Sequence, residues 1–147
     1  MNNDPVTYEL EGSVALIGLN RPEKRNALNL DVVRGLEEAV HRAASEADAG
    51  VLFGHGPVFC GGLDLADLAE RITKPQTGPI RRERNPWHAT FDLIDRGTIP
   101  FVAALHGATI GGGLELATAA HIRVADSTTF FALPEGQRGI FLGGGGT

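Results

Sequence analysis

The chain has 147 residues, 42% of them hydrophobic, which is enough to bury the core of about one domain. A net charge of −5 excludes a surface built for nucleic acid, because phosphate neutralisation needs clustered Lys and Arg in excess. A single cysteine, Cys60, excludes an internal disulfide and suits a reducing compartment.

The N-terminus, MNNDPVTYEL, has neither the basic patch nor the apolar core of a signal peptide, and no apolar run is long enough to cross a bilayer. The sequence therefore reads as soluble and cytoplasmic, with a small-molecule ligand and no membrane partner. VTYEL and SVALIGLN, parted by Glu11 and Gly12, predict a β-hairpin. From Asn29 the period changes: Leu30, Val33, Leu36, Val40, Ala43 and Ala47 recur at helical spacing, with Asn29 placed to cap and Asp31 suited to the helix dipole. GVLFGHG then predicts a short buried strand, FCGGL a glycine turn, and DLADLAER a helix capped by Asp64. Beside its glycines Cys60 reads as a small buried thiol rather than a nucleophile. TKPQTGPIRRERNP is polar and proline-punctuated, the pattern of a mobile surface loop, and its IRRER run reads as solvated charge. WHATFDLIDR resumes a helix, PFVAAL is a buried strand, GGGLELATAA a glycine turn entering a helix, and HIRVAD and TTFFAL are further strands. No internal sequence repeat is evident, but the alternation of strands and helices implies an α/β fold whose ligand-binding loops leave strand ends.

Two carboxylates stand out. Glu115 is the only formal charge between Gly107 and Ile122, in the first turn of a helix whose other residues look buried; Glu135 is the only one between Asp126 and Arg138. Either could simply serve a helix start, where unpaired N–H groups and the dipole favour an acid. Two isolated carboxylates after two apolar elements instead suggest an acid–base pair. The glycines add to this. Gly111–Gly113 leads into a helix, and Cys60–Asp64 offers a similar turn, so each could bring a backbone N–H close to a developing oxyanion. Neither matches dinucleotide or P-loop spacing. Together they describe a carbonyl polariser with an acid and a base beside it. His41, His55, His88, His106 and His121 show no metal-ligand spacing, although His106 lies near the glycine triplet.

LNRPEKRNALN, FCGGLDL, GATIGGGLELATAAHIRVAD and FFALPEGQRGIFLGGGGT occur in an order and spacing that resembles the enoyl-CoA hydratase/isomerase (crotonase) superfamily over nearly the whole chain. The resemblance implies an α/β, crotonase-like spiral of β-β-α units, assembled into trimers or hexamers, acting on an acyl-CoA thioester with no cofactor other than the coenzyme A of the substrate. It places the two oxyanion donors on the N–H groups of Leu63, after Gly62, and Gly112, after Gly111. The two hydratase glutamates fall on Glu115 and Glu135. Lys24, Arg25 and the stretch Leu63, Asp64, Leu65 and Ala66 fall where relatives contact coenzyme A. By the same resemblance the reaction is addition of water to a 2-enoyl-CoA. The alternatives are another acyl-CoA reaction of the superfamily (isomerase, hydrolase or lyase) or a non-catalytic acyl-CoA-binding or assembly subunit. His121 stands where an aspartate is common, and FLGGGG replaces a proline-containing turn. Relatives continue through C-terminal helices beyond the position of Thr147, so residues 1–147 read as the N-terminal portion of a single crotonase-like domain lacking its C-terminal helical region.

Overall fold

A computed structural model describes residues 4–73 and 86–139. The expected hairpin forms as β1 (Val6–Glu11) and β2 (Val14–Leu19), antiparallel, with the turn carried by Gly12 at φ 61°. Helix α1 (Leu30–Glu46) begins where the sequence placed it: the Asn29 side chain accepts from the Val32 N–H at 3.0 Å. Its buried stripe of Val32, Val33, Leu36, Ala39, Val40 and Ala43 packs on β1 and β2 and on helix α3 (Pro86–Arg96), which contributes Phe91 and Ile94.

The strands β3 (Ala49–Gly54), β4 (Phe101–Leu105) and β6 (Ile122–Ala125) extend the sheet in parallel, giving the order β1-β2-β3-β4-β6. Alternate residues of β2 and β4, among them Ala15, Ile17, Phe101, Ala103 and Leu105, join the core that α1, α3 and α4 (Gly112–Ala119) complete. A second, two-stranded parallel sheet joins β5 (Ala108–Ile110) to β7 (Phe130–Ala132). The sequence reading missed β5, which at three residues is too short to display a period.

A structural repeat underlies these elements although the sequence shows none. β4, β5 and α4 follow one another as strand, strand and helix. β3 leads likewise to Cys60, which bridges Thr109 of β5 in parallel, and then to helix α2 (Leu65–Thr73). β6 and β7 lead to a 3₁₀ turn, Glu135–Arg138. In each unit the first strand enters the large sheet and the second segment enters the small one, so the three exits toward α2, α4 and the 3₁₀ turn lie side by side. Of the loop expected over 73–86, Thr73 instead ends α2 and Pro86 begins α3, while residues 74–85, with IRRER, and the FLGGGG segment lie outside the described residues.

Apolar residues of β6 and β7 stand exposed. Ile122 and Val124 of β6 and Phe130 and Phe131 of β7 are all more than half exposed, and Leu133 is exposed as well. Among the described residues, no helix is long and apolar enough to cross a membrane.

Candidate active site

The site is the place where the three exits meet. Cys60 N–H donates to Ala108 O and Ile110 N–H to Cys60 O, both at 3.0 Å, and Gly111 N–H donates to Ala132 O at 2.8 Å. The packing they hold leaves no room for a side chain at Gly62 or Gly113. Gly62 sits at φ 96°, and a Cβ there would meet Ile110 O at 2.9 Å; a Cβ on Gly113 would lie 2.6 Å from the Cβ of Cys60. Glycine is required at both positions, at Gly62 by conformation and at Gly113 by close approach.

Two backbone amides are aimed by their own peptide planes. Leu28 N–H donates to Gly62 O at 2.8 Å, and in a trans peptide the N–H points opposite to the C=O, so the Leu63 N–H is turned away from the Leu28 segment. Glu115 N–H donates to Gly111 O at 3.0 Å, which turns the Gly112 N–H out of the start of α4. Among the described residues neither amide meets an acceptor. They are neighbours: a Cβ on Gly112 would stand 3.9 Å from Leu63 N and 4.0 Å from Glu115 Oε2. Two donors of this kind, one of them at a helix N-terminus, favour a negatively charged oxygen.

The carboxylates flank them. Glu115 is buried, 7% exposed, in the first turn of α4. Glu135 is half-buried at the start of the 3₁₀ turn after Pro134, and its side chain rides over Gly111, where a Cβ would meet Oε1 at 2.5 Å. Its other oxygen, Oε2, is buried and finds no hydrogen-bond partner among the described residues. Glu115, Glu135, Gly111, Gly112, Gly62 and Leu63 are thus brought together, from segments up to 73 residues apart. The arrangement has the parts for stabilising an oxyanion and moving protons beside it.

The neighbouring loop is stapled to the glycine turn. Gly61 N–H donates to Arg25 O and Asp64 N–H to Leu28 O, both at 2.8 Å. The Arg21 guanidinium bonds Asp64 Oδ2 at 3.0 Å. Asp64 Oδ1 accepts from the N–H groups of Ala66 and Asp67, which makes it the expected cap of α2. Burial alone would raise the Asp64 carboxyl, but Arg21 and those two amides outweigh it and hold the group below its ordinary value. Both oxygens of Asp64 are therefore engaged within the protein, whereas Lys24, Arg25, Leu65 and Ala66 are exposed at the surface.

Two residues of this region escaped the sequence reading. Arg21 makes the ion pair just described. Asn26, buried at φ 53°, donates through Nδ2 to the carbonyls of His55, Val58 and Phe59 and accepts the Arg21 N–H. A polar Asn amid the charged run EKRN was the available signal, since Asn tolerates the left-handed region. His106 bonds the Gly56 carbonyl through Nε2 at 3.0 Å. Among the described residues no three of His, Cys, Asp or Glu are grouped to hold a metal.

The repeated strand–strand–helix units define an α/β fold of crotonase type, and solved structures of that type superpose on it. An enoyl-CoA hydratase from Polaromonas sp. JS666 matches with a TM-score of 0.85 at 31% identity, over 95% of this chain and 55% of its own. The model of the enoyl-CoA hydratase/isomerase family matches residues 9–147, and the chain belongs to that family. A probable enoyl-CoA hydratase of Rhodobacter capsulatus is 37% identical over 147 residues, all of this chain and 56% of the relative. The human mitochondrial Delta(3,5)-Delta(2,4)-dienoyl-CoA isomerase is 36% identical over 133 residues, 84% of this chain and 40% of the relative. The chain thus spans about half the length of the relatives it matches.

Proposed function

We propose that this chain forms the catalytic corner of an enzyme acting on acyl-CoA thioesters, and that the reaction is addition of water to a 2-enoyl-CoA. The observation that carries the proposal is the pair of unpartnered amides, Leu63 N–H and Gly112 N–H, beside the Glu115 carboxylate and under that of Glu135. The thioester oxygen accepts both amides, so electron density drains from the double bond and the β-carbon becomes electrophilic. One glutamate, ionised, takes a proton from water as its oxygen attacks that carbon. The resulting enolate-like oxyanion is held by the amides until the other glutamate, protonated, delivers its proton to the α-carbon. Water is thereby added across the double bond, and the pair is left with its protons exchanged.

Lys24, Arg25 and the Leu63 to Ala66 stretch are proposed to contact the coenzyme A portion, with residues 1–147 forming the N-terminal portion of a single domain. In a form of the relatives' length the same reading expects a trimer or hexamer, located in the cytoplasm. A second reading is supported by the similarity to a dienoyl-CoA isomerase: the same amides would hold the oxyanion while the carboxylates shuttle a proton between carbons without water. Incubating the chain, and a form extended to its relatives' length, with 2-enoyl, 3-enoyl and dienoyl thioesters separates the readings. Formation of a 3-hydroxyacyl product supports hydration, double-bond migration alone supports the isomerase, and inertness of both forms toward every thioester contradicts both.

A further inference from the structure

The buried thiol of Cys60 sits at the junction of all the segments that build the amide pair, yet the proposed chemistry gives it no part. Its sulfur lies 3.1 Å from Asn26 O, to which it donates, and 3.5 Å from Gly62 N, whose hydrogen it accepts. Its backbone pairs with one edge of β5, through Ala108 O and Ile110 N–H, and its side chain packs against Gly113 in α4. Gly62 is thus gripped at both ends, at its N–H by Sγ and at its carbonyl by Leu28 N–H. With both peptide planes fixed, the φ of 96° at Gly62 is fixed as well, and so is the direction of the following Leu63 N–H.

We infer that Cys60 is a positioning residue for the oxyanion turn: its thiol, bonded at once to Asn26 O and Gly62 N–H, sets the orientation of the Leu63 amide. The inference rests on the reading of Leu63 N–H as a ligand donor. The thiol is suited to the task because it does not ionise: burial pushes it up to about 12, against a weaker lowering by the Gly62 N–H. It therefore keeps the proton that it donates to Asn26 O, and it is a poor nucleophile. Cys60 is fully buried, so both of its contacts are shielded from competing water.

The test compares Cys60→Ala, which removes both contacts with little change of volume, and Cys60→Ser, whose hydroxyl can donate and accept in the same places. Amide hydrogen exchange is measured by NMR at Gly61, Gly62 and Leu28, with Leu52 and Ala103 of the main sheet as controls. Cys60→Ala is expected to speed exchange at the three turn amides about tenfold more than at the controls, and Cys60→Ser to restore them to within about twofold of the parent. Equal acceleration everywhere in Cys60→Ala would reduce Cys60 to packing, and unchanged turn amides would overturn the role outright. Neither readout requires substrate, so the inference is decided even if the proposed reaction fails. Where thioester turnover is measurable, kcat should fall about tenfold in Cys60→Ala with KM within about twofold, and recover in Cys60→Ser; a change confined to KM would contradict the inference.

Discussion

An alanine scan of the glycine triplet should separate folding from function one residue at a time. At Gly113 an added Cβ would lie 2.6, 2.7 and 2.8 Å from Cys60 Cβ, O and Sγ. One of these is backbone held in the small sheet, so Gly113→Ala must displace the sheet or the helix and should cost about 1–3 kcal/mol, as overpacked cores do. At about 2–4 °C per kcal/mol this is a readily measured fall in Tm. Gly111 has φ 54° and ψ −125°, a combination costly to any side chain, and a Cβ there would strike Glu135 Oε1. Gly111→Ala should lose about 1–3 kcal/mol through strain and expel the Glu135 carboxylate as well. Gly112 differs. Its nearest neighbours to an added Cβ are Leu28 Cδ1 at 3.4 Å, Leu63 N at 3.9 Å and Glu115 Oε2 at 4.0 Å, all ordinary contacts. Gly112→Ala should therefore fold as well as the parent, or gain up to about 1 kcal/mol of helix propensity. The new methyl would nevertheless occupy the space between the Leu63 amide and the Glu115 carboxylate, where the proposed function puts the thioester oxygen, at a cost of about 2.7–4 kcal/mol in the barrier if one donor is lost. Thermal and urea midpoints for the three variants, with thioester turnover for those that fold, make the comparison. A Gly113→Ala as stable as the parent, or a folded Gly112→Ala with full turnover, would refute the reasoning.

Asp64 lies below its ordinary 3.8, so its contribution to stability is present above that pH and is lost as the pH falls through the folded value. Arg21→Met removes a principal lowering group, and urea titrations across pH 2–5 should show the acid transition moving upward; an unmoved transition would contradict the pairing. Asn29→Ala removes the bond to Val32 N–H and should lower stability by about 1 kcal/mol in urea unfolding, with a loss under about 0.3 kcal/mol counting against the cap. The apolar residues of β6 and β7 predict concentration-dependent self-association of the 147-residue chain in sedimentation, relieved by Ile122→Thr with Phe131→Ser. A parent that sediments as a monomer at all concentrations would oppose this.

The parts of the fold legible in the sequence were those whose signals are local. Asn29 before a helical stripe, Gly12 between two alternating runs and Asp64 before an apolar period each announce an element within a few residues. β5 was not legible, because Ala108–Ile110 is defined by pairing with Phe130–Ala132 and by the bridge to Cys60, not by any pattern of its own. At the site, the isolation of Glu115 in an apolar helix marked it, and the structure does bury it beside Gly112. The distant partners of Arg21 and Asn26, Asp64 and the carbonyls of His55, Val58 and Phe59, could not be foreseen, since they lie 29 to 43 residues away across a turn that only the tertiary fold closes. Asp64 shows the converse: a site assignment by position says nothing of whether its oxygens are already taken, here by Arg21 and the α2 amides.

The central claim is that Leu63 N–H and Gly112 N–H together hold a thioester oxygen, and the carbonyl itself reports on that. Infrared difference spectra of a 2-enoyl-CoA ¹³C-labelled at its thioester carbonyl should be recorded on the relatives-length form and on its Gly112→Pro variant, which removes one N–H at a helix position that accepts proline. A carbonyl stretch lowered on binding to the parent relative to water, with a clearly smaller lowering in Gly112→Pro, is the expected result. A bound carbonyl at its aqueous frequency, or one lowered equally in parent and variant, would contradict it.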